Sequence, residues 1–403
     1  MSRLLALLCL ALPLAACQPP RPDAAASVDT AVPAASVRVA TFNISLYSET
    51  AGGLVQRLRE QDAEARKIAA VIQRVRPDVI LLNEFDYDPA GEAAELFQSR
   101  FLAVGQFGEQ PIEFRYRYLG PVNTGVPSGL DLDKDGRVGG NGRGYGNDAW
   151  GYGLHPGQYG MLVLSRFPID EASVRSFQTL RWSNLPGARA PVSPDTGEPW
   201  YASEVWAQLR LSSKSHWDVP LDTPLGRIHL LAAHPTPPAF DGPERRNAAR
   251  NHDEIRLWAE YLAPGEKPWL CDDAGVCGGL HANARFVIAG DYNADPGGGS
   301  SLPGAIQQLL ESPRVLRMAT PRSSGGLAEK PESHPRGNQT AADHHTANFG
   351  PDIGNYRVDY VLPSVGLNAI GSGVFWPRAG EPGADWVTAS DHRLVWVDLA
   401  PAP

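Results

Sequence analysis

The chain has 403 residues, enough for a large core built as one big domain or two. Its net charge of −9 argues against a surface-wide polyanion-binding face and leaves room for a local basic cleft. Only four cysteines are present. Cys9 and Cys17 lie at the N-terminus, and Cys271 and Cys277 bracket the loop CDDAGVCGG. In an oxidising compartment a local disulfide is the first expectation for that pair, since two cysteines do not supply four metal ligands.

Taken in chain order, the first feature is Arg3 followed by the apolar stretch Leu4 to Leu14, too short to span a bilayer and read as an export signal over residues 1–16. It closes in Leu14-Ala15-Ala16-Cys17, which resembles the lipobox of bacterial lipoproteins. That resemblance implies lipidation of Cys17, with plain signal-peptidase cleavage as the alternative. Several acyl chains on one cysteine would anchor the chain stably. Gln18 stands where an aspartate retains some lipoproteins at the inner membrane, which points to the outer membrane. Residues 17–36, rich in Pro, Ala and Ser, read as a flexible tether. No later segment is long and apolar enough to cross a membrane, and there is no internal repeat.

Residues 37–403 alternate strands and helices. Val37 to Ile44 reads as a strand, and Ala63 to Val75 as a helix with an apolar stripe at Ile68, Val71, Ile72 and Val75, ended by Pro77. Val79 to Leu82, Met161 to Leu164, Ile228 to Ala233, Phe286 to Ala289, Val358 to Leu362 and Leu394 to Leu399 read as further strands. Pro243 to Leu262 reads as a helix with proline near its first turn. The pattern predicts layered α/β architecture. Polar insertions near 105–157, 180–225 and 262–285 interrupt it, and segments of that length are commonly functional.

Polar groups recur where the strands stop: Thr41-Phe42-Asn43, Asn83-Glu84, Ala233-His234-Pro235, Gly290-Asp291-Tyr292-Asn293, Arg357-Val358-Asp359-Tyr360 and Ser390-Asp391-His392. Each alone is an ordinary turn, but together they fit strand ends converging on one cleft. In this order and spacing TFN, NE, AHP, GDYN, RVDYVL and SDH resemble the endonuclease/exonuclease/phosphatase, or DNase I-like, superfamily. Asn83 departs mildly, standing where glutamine often precedes the metal-binding glutamate.

The resemblance implies a four-layer α/β sandwich, two packed mixed β-sheets flanked by helices, and hydrolysis of a phosphate ester with a divalent cation. Chemistry agrees: such esters repel hydroxide, so a site needs a cation, a base and transition-state donors. Hard oxygen ligands suit Mg²⁺ or Mn²⁺. By motif, Glu84 would be the principal metal ligand with Asn43 and Asp391 near the same ion, and His392 the general base oriented by Asp359. Asp291 would position water, Asn293 would donate to a phosphoryl oxygen, and His234 would stabilise the transition state or protonate the leaving group. Tyr159 would contact phosphate.

Other segments bear on the substrate. DLDKDG places Asp131, Asp133 and Asp135 at alternate positions before Gly136, as in the first half of a Ca²⁺ loop. The second half is missing, Gly142 standing where a bidentate glutamate belongs. Asp148 would complete a non-standard structural Ca²⁺ site, against the alternative of a solvated acidic loop. Lys214 and Trp217 suit phosphate and ring contacts or a plain surface. Arg245, Arg246 and Arg250 are expected chiefly to pair with Glu244, Asp253 and Glu254. His344 and His345, being adjacent, point different ways. Three functions follow: a phosphodiesterase or nuclease, a phosphomonoesterase on an inositol phosphate, nucleotide or lipid headgroup, and a silent surface-binding lipoprotein. The expected partners are a nucleic acid or small phosphorylated molecule and, through the lipid, a membrane. The chain is expected to be exported and monomeric.

Overall fold

The computed structural model describes residues 35–330, 333–335 and 337–402. The export signal, Cys17 and nearly all of the tether fall outside the described residues. Along the chain come strands β1 (Val37–Leu46), β2 (Val79–Phe85), β3 (Tyr116–Tyr118) and β4 (Met161–Ser165). Next are β5 (Arg175–Ser176), β6 (His216–Thr223), β7 (Gly226–Ala233) and β8 (Phe286–Asp291). The last are β9 (Ala347–Asn348), β10 (Asn355–Tyr356), β11 (Asp359–Pro363), β12 (Leu367–Val374) and β13 (Val395–Pro401). One mixed sheet has the order β12-β13-β1-β2-β4-β3, a second β11-β8-β7-β6-β5, and β9 and β10 form a separate ribbon.

Three hydrophobic clusters make this a four-layer sandwich. Strand side chains alternate faces. In β1, Ala40, Phe42, Ile44 and Leu46 pack under the helix Ala63–Val75, while Val37 and Val39 join the core between the sheets. In β8, Phe286 and Ile288 pack with the helix Arg246–Leu262, while Val287 and Ala289 face the inter-sheet core. The same alternation, carried past the last apolar residue, puts Asn43 in register with Val37 and Val39. It puts Asp291 in register with Val287 and Ala289, and Asp359 in register with Val361. Asn43, Asp291 and Asp359 are therefore the polar continuation of the inter-sheet stripe.

The helix Ala63–Val75 begins at Asp62, whose carboxylate accepts from the Ala65 amide at 2.8 Å, and ends at Arg76 in the left-handed region. The second helix departs from expectation. It starts at Arg246, because Arg245 (φ 51°) turns the chain and Asp241 reaches forward to accept from the Asn247 and Ala248 amides. Its polar residues are buried staples. Asn251 donates to the carbonyls of Thr236 and Tyr292, Asp253 accepts from Trp182 Nε1, and Glu254 accepts from the Ser213 and Thr236 amides at 2.6 Å each. Arg250, expected to pair with acids, instead donates to the carbonyls of Trp150, Arg210, Leu211 and Ser212, tying both long insertions to the helix.

Six strands were not anticipated as such, the short β3, β5, β9 and β10 and the longer β6 and β12. β6 contains Pro220 and alternates polar with apolar residues, and β12 is a bulged edge strand weakened by Gly371 and Gly373. Cys271 and Cys277 are joined by a disulfide.

At the head of β6, His216 is 1% exposed, with Nδ1 at 2.6 Å from Ser212 Oγ and Nε2 at 2.9 Å from the Glu254 carbonyl. Burial pushes its pKa down to about 4 from 6.5. The folded value lies below the unfolded one, so the unfolded chain takes up the extra proton between about pH 6.5 and 4. Stability is expected to fall with pH through that window by about 1.4 kcal/mol per unit for this group. Denaturant unfolding at pH 7, 6 and 5 should show His216→Gln shallower than the parent by about one proton; equal slopes would refute the assignment.

Candidate active site

The strand ends meet at one end of the inter-sheet core. Asp359 and Asp291 are cross-strand partners of β11 and β8, so two carboxylates sit side by side. Like charges directly opposite are unfavourable, and His392 lies between them. Its Nδ1 is 2.9 Å from Asp359 Oδ2 and its Nε2 is 3.6 Å from Asp291 Oδ2. Thr346 Oγ1 donates to the same Asp359 oxygen at 2.7 Å and accepts from the Val358 and Asp359 amides. Phe349 closes one side of the ring, edge-on at 5.3 Å. Burial alone would lower the His392 pKa, but Asp359, Asp291 and Asp391 outweigh it and hold the ring well above its ordinary value.

Asp291 is also 3.3 Å from His234 Nε2 and accepts from Asn43 Nδ2 at 3.0 Å. Burial works against its ionisation, but His392, His234 and the Asn43 amide prevail and hold its carboxyl below the usual range. His234 behaves oppositely: burial, with Lys214 and His392 nearby, lowers it to about 4, so it is neutral at pH 7. Asn293, in the left-handed region (φ 51°), donates from its backbone to Asp291 Oδ1 and from its side chain to the Pro235 carbonyl. Gly290 is obligatory here, because at φ 150° a Cβ would sit 2.0 Å from the Ala233 carbonyl oxygen.

Glu84 occupies the end of β2 with φ 59°, a backbone twist that overrides strand alternation. Asn43 Nδ2 bridges Glu84 Oε1 (3.1 Å) and Asp291, while Asn43 Oδ1 accepts from the Ser45 amide. Burial pushes Glu84 up to about 7, with Asn43 and His392 offsetting only part of the cost. Asp391 stands at the rim, 49% exposed, accepting from Ser45 Oγ at 3.2 Å and 3.9 Å from His392 Nε2. Tyr159 (φ 56°) packs on Tyr47 with ring centres 4.5 Å apart. Asp86 holds both loops by accepting from the Tyr159 and Ser48 amides.

All nine residues expected at the site line this region or bond to a residue that does. Among the described residues, the groups with ligand atoms mutually within 4.8 Å are Asp291, Asp359 and His392 in the site, and Asp131, Asp133 and Asp148 in the DLDKDG loop. The acidic loop therefore closes on Asp148 and leaves out Asp135, which accepts from the Arg137 amide. Lys214 was weighed in the sequence but not placed in the site. It is 5% exposed and lines the cleft, its pKa lowered by burial against the pull of Glu254, Glu84 and Asp291. Thr346, Tyr47 and Asp86 were missed. No motif marks Tyr47 or Asp86, and Thr346 hides behind the His344-His345 pair.

A family model described as the Endonuclease/Exonuclease/phosphatase family matches residues 40–392. The chain belongs to that family. Membership supports a phosphoester hydrolase as the activity class. No curated protein matches the chain. Among solved structures, an endonuclease/exonuclease/phosphatase from Beutenbergia cavernae DSM 12333 is 19% identical, with 91% of this chain and 72% of that chain covered and a TM-score of 0.49. Sphingomyelinase C from Streptomyces griseocarneus is 18% identical, with 90% and 99% covered and a TM-score of 0.45. A beta toxin mutant from Staphylococcus aureus with bound magnesium ions is 11% identical, with 90% and 99% covered and a TM-score of 0.42.

Proposed function

We propose that this family member is a divalent-cation-dependent phosphodiesterase in which His392 activates water. The observation that carries the reading is His392, held at Nδ1 by Asp359 with Nε2 facing Asp291. The carboxylates around the metal-free site favour the protonated ring, so His392 acts after losing that proton; water then attacks phosphorus and passes a proton to Nε2 of the neutral ring. A P–O bond to the alcohol breaks, and the leaving alcohol takes a proton from solvent. Asp359 fixes the ring tautomer and stabilises the imidazolium that forms. Asp291 and the His234 Nε2–H that faces it orient the water, and Asn293 donates as charge grows on the phosphoryl oxygens.

The residues present fit a hard divalent cation such as Mg²⁺ or Mn²⁺. Glu84 is a carboxylate that burial pushes up to about 7, Asp391 is a second carboxylate close enough to act on it, and Asn43, whose Nδ2 donates to Glu84, would offer its oxygen with the amide turned over. When bound, the cation supplies charge neutralisation of the phosphoryl group and lowers the pKa of its neighbours. Buried Lys214 favours a second reading, hydrolysis of doubly charged phosphomonoesters. Export and anchoring through Cys17 belong to the same proposal. Bis-p-nitrophenyl phosphate, p-nitrophenyl phosphate and plasmid DNA, assayed in parallel with Mg²⁺, Mn²⁺ or Ca²⁺, test the reading. Faster diester turnover supports it, faster monoester turnover selects the second reading, and no turnover of any ester rejects both.

A further inference from the structure

The cleft, about 640 Å³, reaches well beyond the cluster around His392. A pocket of that size suits a small ligand. Its far half is walled by the two long insertions, with Arg143, Trp150 and Tyr152 from one and Tyr201 and Arg210 from the other. Tyr152 is 47% exposed, yet its ring is seated: a Cβ on Gly146 would meet it at 2.8 Å, so one side of the ring is packed. Arg210 lies over Trp150, 5.1 Å from the ring centre, and donates to Asn123 Oδ1. Among the described residues, neither Arg143 nor Arg210 makes an ion pair with a carboxylate. An exposed aromatic face with cations free of carboxylates beside it suits a planar, polar ring. The net charge of −9 weighs against a long polyanion as the ligand.

We propose that this half of the cleft seats the group that stays on phosphorus in a single small phosphate ester, a planar ring of nucleoside type stacked on Tyr152 with Arg143 and the Arg210–Trp150 pair beside it. The inference rests on the phosphate-ester reading above and narrows its substrate from nucleic acid to small molecule. Two esters with the same leaving group isolate the ring: the p-nitrophenyl ester of thymidine 5′-monophosphate and methyl p-nitrophenyl phosphate, both with saturating Mg²⁺ and the intact chain. The nucleoside ester is expected to show a KM about tenfold lower or better, the range of base–aromatic stacking. Tyr152→Ala and Arg143→Ala, both at exposed positions, should each shrink that KM ratio toward one, with thermal melting unchanged. Equal KM values for the two esters in the parent protein would overturn the inference and leave the hydrolase reading standing. So would a ratio unmoved in either variant, or plasmid cleavage with kcat/KM at or above that of the nucleoside ester. Turnover of neither diester would overturn both the inference and the phosphodiesterase reading.

Discussion

Replacing His392 with alanine is expected to lower kcat/KM for any phosphate ester by about 10²- to 10⁴-fold, the range assigned to a positioned general base. The ring is buried, with Nδ1 committed to Asp359, so Nε2 is the free nitrogen that faces the reacting groups. The same substitution removes the positive charge between two carboxylates that are cross-strand neighbours. A lowered melting temperature is therefore expected as well, and circular dichroism must show the fold before the rate is read. Asp359→Asn, which keeps the shape and the Thr346 contact, should lose activity with less damage to the fold. A variant at His392 that is folded and fully active would show that another group takes the proton.

The second large effect is expected at Glu84. Glu84→Gln should weaken the half-saturating concentration of Mg²⁺ or Mn²⁺ by more than the roughly 10- to 100-fold that loss of an outer-shell partner costs. Stability should move the other way. Burial already raises this carboxyl to about 7, so a neutral amide of the same size relieves a desolvation cost in the metal-free protein. Metal-free melting temperature unchanged or raised, with cation response lost, is the predicted pattern. Lower stability with an unchanged cation response would mean that Glu84 is a structural group.

Much of the fold was legible because buried strands announce themselves twice, by apolar runs and by abrupt polar ends. Val79 to Leu82 and Phe286 to Ala289 are short runs that had to be strands, and alternation along β1, β8 and β11 sends Asn43, Asp291 and Asp359 to a common edge. β12 was not legible, since Gly371, Ser372 and Gly373 look like a loop and pair only because β13 is beside them. The start of the helix Arg246–Leu262 was misplaced by three residues, because Asp241 caps from a distance. Arg250 shows a different limit: neighbouring acids in sequence suggested ion pairs, whereas carbonyls brought in from distant insertions claim the guanidinium. The twist at Glu84 (φ 59°) and the exclusion of Asp135 from the acidic cluster, which Asp148 joins as expected, are likewise products of tertiary contact.

The most direct measurement is the rate of bis-p-nitrophenyl phosphate hydrolysis by the EDTA-stripped chain before and after Mn²⁺ or Mg²⁺ is restored. The account predicts a background rate that rises with saturation on adding back the cation, and no such rise in Glu84→Gln. Full activity in EDTA, or recovery of the variant alongside the parent, would contradict it.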